Sequence, residues 1–106
     1  KSYGYLFIHK VSSMDHLKVQ STLSDSLVDL ANAFTQRAST LAPKGKCDLD
    51  NNHLMVFSYL KNDAENVFWW VLQYFCELGW EPFSIAHDGL GIDRLPQIHL
   101  RKEIVT

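Results

Sequence analysis

The segment "SYGYLFIHKV", residues 2–11, limits the folds open to this chain more than any other stretch. It is aromatic and β-branched, which reads as a β-strand. Side chains along a strand alternate between two faces. Tyr3, Tyr5, Phe7 and His9 therefore share one face, and Gly4, Leu6, Ile8 and Lys10 share the other. The segment "HLMVFSYL", residues 53–60, is also two-sided, with Leu54, Val56 and Leu60 opposed to Met55, Phe57 and Tyr59. Strands apolar on both faces belong in a sheet that needs cover on two sides.

Two helices supply cover for one side. "SDSLVDLANAFTQRASTL", residues 24–41, repeats Leu27, Leu30, Ala31, Phe34, Ala38 and Leu41 at steps of three and four. Ser24 is the expected N-cap, Asp25 suits the first turn, and Pro43 and Gly45 stop the helix. The following "APKGKCDLDNN" reads as a polar loop. A second helix begins after Asn62 or Asp63, runs through "NVFWWVLQYFCELGW", residues 66–80, and ends at Gly79 as its C′ residue. At 100° per residue its core stripe is Ala64, Phe68, Val71, Phe75 and Leu78, opposite Asn66, Gln73 and Glu77. Trp69 and Trp70 fall on opposite flanks of that stripe. Although very apolar, the segment is too short to cross a membrane.

Residues 16–23, "HLKVQSTL", read as a second strand or as the start of a long helix; we take the strand. "EPFSIAHDG" and "PQIHLRKEI" are two further strands. In the last, Ile98, Leu100 and Ile104 face inward and Gln97, His99, Arg101 and Glu103 outward. The order β(β)αβαββ gives an α+β two-layer sandwich: two helices on one face of a four- or five-stranded mixed sheet, with the first and third strands pairing in parallel through the first helix. The 106 residues make one domain, 1–106. A start at Lys1 rather than Met reads as a domain cut from a larger protein.

Charge and motifs narrow the function. The net charge is −2 and no basic run is present, so nothing draws the chain to phosphate backbones or anionic lipids. Aromatic sheet faces do stack bases in RNA-recognition modules, but the element order and the strand signature of those modules are missing. The five histidines show no HxH or HExxH spacing, so we expect no metal and no cofactor. Asp48, Asp50 and Asn52 echo a calcium loop that lacks its glycine and its final glutamate. "HDGLGID", residues 87–93, has no helix start behind it to cradle phosphate. Cys47 and Cys76 form no CxxC pair, and Cys76 reads as inert helix packing. Together with the absence of a signal peptide, this fits a reduced, intracellular protein, cytoplasmic or nuclear.

The expectation is a non-catalytic protein–protein interaction or assembly domain. Its contact residues would be Tyr3, Tyr5, Phe7, Phe57 and Tyr59 on the sheet, with Trp69 and Trp70 on the helix flank. Its partner would be another protein or a second copy of the chain. Two alternatives remain open. One is a small-molecule or lipid-binding domain with an apolar pocket between sheet and helices. The other is a small hydrolase-like or metal-dependent enzyme using strand-end residues such as His87, Asp88 and Asp93.

Overall fold

The computed structural model describes residues 2–10, 15–86 and 97–105. Six strands, β1 (Ser2–Lys10), β2 (His16–Ser21), β3 (Lys46–Asn51), β4 (Leu54–Ser58), β5 (Glu81–Ala86) and β6 (Gln97–Ile104), form one sheet. Two helices, α1 (Ser24–Leu41) and α2 (Ala64–Glu77), cover one face of it. The strands lie in the order β3-β4-β2-β1-β6-β5, and every neighbouring pair is antiparallel. The two-layer α+β arrangement is the expected one. Among the described residues the sheet differs in having six strands and no parallel pair.

The sixth strand is β3, cut from residues read as loop. Its sequence "KCDLDN" is polar because it is an edge strand that faces water. Charged residues and a bulge between Leu49 and Asn51 protect such an edge from unwanted pairing. The parallel pairing fails because β2 intervenes: β1 and β2 form a hairpin, and β4 then joins the far side of β2.

The core lies between the sheet and the helices. Register places Ile98, Ile8, Val19 and Met55 in one row across it, and Leu100 beside Leu6 in another. Above them sit Leu27, Leu30 and Phe34 of α1 and Val67, Phe68, Val71 and Phe75 of α2, all buried. Phe57 and Tyr59 belong to this core, not to an exposed face. Phe57 is 0% exposed and meets Phe34 edge to face at 4.9 Å. Period-2 alternation sorts β4 into two faces but does not say which one the helices take. The larger row, Met55 and Phe57, goes under α1; Leu54 and Val56 face away, partly covered.

The helix ends are built from the sequence signals, with changes. Leu23, not Ser24, is the residue before the first turn of α1, and no side chain caps it. Instead the buried Ser21 Oγ accepts from the Leu23 N–H at 3.0 Å and lies 2.9 Å from Ser26 Oγ. Asp63 precedes α2, also without a side-chain cap bond. At the other end Gly79 takes φ 95°, which L side chains adopt at a cost. Its N–H donates to the Cys76 carbonyl and the Trp80 N–H to the Phe75 carbonyl, the paired bonds of a Schellman motif. The motif folds Trp80 back onto Phe75, ring centres 5.9 Å apart, and buries it. Leu78, expected in the core stripe, sits in the turn after the last helical residue and is 49% exposed.

Candidate functional site

The helices cover one face of the sheet; the other is open, and its character changes across its width. On the β2-β4-β3 side it carries Lys18, Gln20, Leu54 and Val56. On the β1-β6-β5 side it is aromatic. Tyr5 of β1 stands directly across from Arg101 of β6, which stands across from Glu81 of β5. One row along, Phe7 stands across from His99, and His99 from Ser84. A bulge between Pro82 and Ser84 inserts Phe83, whose ring lies on this face against Tyr5 at 6.0 Å and His99 at 6.0 Å.

These side chains form one continuous surface. Tyr3 and Tyr5 are 6.4 Å apart between ring centres. Phe7 stacks on His9 at 4.5 Å and lies 4.2 Å from His99. The Arg101 guanidinium lies 5.4 Å from the Tyr3 ring and 5.5 Å from the Phe83 ring, within cation–π range. Each ring is half-covered by its neighbours and half in water: Tyr5 is 48% and Phe83 46% exposed. Cross-strand pairs of this kind contribute about 0.2–1 kcal/mol each, so the patch stabilises the sheet modestly while remaining open.

Of the expected contact residues, Tyr3, Tyr5 and Phe7 lie together on this face. Phe57 and Tyr59 are behind it. Phe83, His99 and Arg101 complete the face, beyond the contact residues the sequence pattern marks. The outward alternation of 97–103 was a usable signal for two of them, but only with β6 placed beside β1. The bulge that sets Phe83 has no sequence signature beyond an edge strand containing Pro82.

Trp69 and Trp70 are on the opposite layer. Trp70 is half-buried, turned towards α1, with Phe34 at 6.0 Å and Tyr74 at 5.7 Å. Trp69 is 49% exposed and meets the edge of Phe68 at 5.0 Å. Both border an outer groove of about 510 Å³ between the helices, with Arg37, Glu65 and Gln73.

The titratable groups are spread over the fold. His9 is held below the usual imidazole range by burial and by Lys18, its cross-strand neighbour. Asp15 holds His16 Nδ1 at 2.7 Å, and His53 Nδ1 lies 2.9 Å from the Ser21 carbonyl. Among the described residues no three His, Cys, Asp or Glu side chains converge as a metal set. His87, Asp88 and Asp93, with the rest of "HDGLGID", lie outside the described residues. Both cysteines are free; Cys76 is exposed on α2 rather than packed inside it. Burial pushes both thiols up, and for Cys47 the Asp48 carboxylate adds to the effect. Raised thiols are mostly protonated near neutral pH and make weak nucleophiles.

Among the described residues no helix is long and apolar enough to cross a membrane. No protein-family model and no curated protein matches the chain, so its functional reading rests on the open face itself.

Proposed function

We propose that this chain is a non-catalytic protein-interaction domain whose docking surface is the helix-free aromatic face. The supporting observation is the continuity of Tyr3, Tyr5, Phe7, Phe83, His99 and Arg101 on a face that neither helix covers. Aromatic residues and arginine are the types enriched where interfaces bury most of their binding energy. Three strands at about 4.8 Å spacing make an aromatic patch roughly 10 Å across, within a six-stranded face roughly 25 Å wide.

The pocket reading has less behind it. The centre of the space between sheet and helices is filled by side chains such as Ile8, Val19, Phe34 and Phe68, which are at most 2% exposed, and what remains is a marginal cleft of about 700 Å³ bordered by Ser24, Asp29, Leu78 and Lys102. Light scattering on the purified chain, with and without Tyr5→Ser and Phe83→Ser, separates the two kinds of protein partner. A dimer that the two substitutions dissolve identifies a second copy. A monomer leaves a different protein. A dimer indifferent to both substitutions counts against this face.

A further inference from the structure

The aromatic half of the open face holds a cation with one donor, the buried Arg101 Nε, that has no hydrogen-bond partner among the described residues. Among the described residues Glu81, across the β5–β6 ladder, forms a loose ion pair with it, Oε2 at 3.9 Å, too far for a hydrogen bond. The Glu81 side chain is 69% exposed and that of Arg101 41%. Tyr3 and Phe83 flank the guanidinium, so its orientation is already restricted before anything binds.

Any partner that covers Tyr5, Phe83 and the Phe7–His99 pair must also cover Arg101. An apolar partner would strip water from a guanidinium without replacing its charge or its acceptors, which opposes binding. A carboxylate matches the planar fork of N–H donors and removes that penalty. We infer that the occupant of the open face is a polypeptide segment that lays an Asp or Glu carboxylate over Arg101, with apolar side chains to either side of it. This inference rests on the docking reading above and specifies the chemistry of the partner. Among the described residues the other charged groups around the patch are Glu81 and Glu103 on the β5–β6 side and Lys18 on the β1–β2 side, where the titratable His9 also lies. Glu81 competes with the incoming carboxylate, so its removal should strengthen binding.

The probes are acetyl-Leu-Asp-Leu-amide and its Asn counterpart, titrated into the ¹⁵N-labelled chain. The readouts are the Arg101 Nε–H signal and the backbone amides of Tyr5, Phe83 and His99. The Asp peptide should move these signals with an affinity about tenfold above that of the Asn peptide, as expected when a charge-assisted bond replaces a neutral one. Arg101→Gln should erase the difference, Arg101→Lys should leave part of it, and Glu81→Gln should widen it. A thermal melt of each variant checks that it is folded. Equal affinity for the two peptides at this face overturns the carboxylate inference and leaves the docking reading standing. Shifts confined to the helix layer, or none at all, overturn both. A stronger response of the same signals to a thymidine oligonucleotide, or a concentration-dependent shift without peptide, assigns the face to a nucleic acid or to a second copy and overturns the inference.

Discussion

Truncating one phenylalanine on each side of the sheet gives two very different outcomes. Phe57 and Phe83 are the same residue type on strands of the same sheet. Phe57 is 0% exposed, lies across from Leu17 and Cys47, and has Phe34 edge-on at 4.9 Å. Phe57→Ala loses the transfer free energy of the ring and leaves a cavity under α1, about 3–5 kcal/mol in all. Phe83 is 46% exposed on an edge strand. Phe83→Ala forfeits roughly half of a side-chain burial worth about 1.5–3 kcal/mol, so about 1 kcal/mol, and leaves no enclosed cavity. A domain of this size has about 5–15 kcal/mol of total stability. Urea unfolding followed by tryptophan fluorescence and circular dichroism reads the difference. With a slope of about 1–3 kcal/mol per molar urea, Phe83→Ala should move the midpoint by less than about 1 M. Phe57→Ala should move it several times further or abolish the transition. Equal shifts, or the reverse order, would mean that the two faces have been assigned the wrong way round.

Further outcomes follow from local geometry. Gly79→Ala should cost about 1–2 kcal/mol, because the residue is held at φ 95° while an added Cβ meets nothing nearer than Lys102 Cε at 3.8 Å; a thermal melt should drop by roughly 5–10 °C, and Gly79→Asn by less. Gly45→Ala should also destabilise, since its Cβ would fall 3.0 Å from the Ala42 carbonyl oxygen and 3.1 Å from the Phe34 ring. For His9, the folded chain binds its proton less readily than the unfolded chain does, whose imidazole titrates near 6.5. Stability should therefore decline as pH falls below about 6.5 and level off under the folded-state value, and His9→Gln should flatten that slope in urea midpoints measured between pH 7 and pH 5. In native protein, iodoacetamide followed by mass spectrometry should modify the exposed Cys76 before the half-buried Cys47.

Which features were legible in the sequence depended on whether they were local. The bounds of α1, the Gly79 stop of α2 and the alternation of β6 were all readable, because each is set by residues within one or two turns or by strict period 2. The edge strand β3 was not: Cys47 and Leu49 alternate with Lys46, Asp48 and Asp50, but two apolar residues in a polar run do not distinguish a strand from a loop, and "KCDLDN" takes its conformation from pairing with β4. The face of Phe57 was not legible either, since it depends on where Phe34 arrives from another element. The open face itself was half-visible. Tyr3, Tyr5 and Phe7 declared themselves through β1, but Arg101 and His99 join them only because β6, the last strand, returns to pair with the first. Long-range adjacency of that kind leaves no trace in a single sequence. Leu78 shows a smaller limit of periodicity, which continued the stripe one residue past the point where the Schellman turn ends the helix.

The central claim is that the aromatic face, and not the helix layer, meets the partner. Site-specific photo-crosslinking tests it most directly. A benzophenone amino acid replaces Tyr5 or Phe83 on the open face and, as controls, Val28 or Glu65 on the helices, all four exposed in the chain. Irradiation is done in the cells that make the protein, with and without Arg101→Gln. The account predicts one discrete protein adduct from positions 5 and 83, lost with Arg101→Gln and absent from positions 28 and 65. Adducts from the helix positions alone, or equal adducts from both faces, would contradict it.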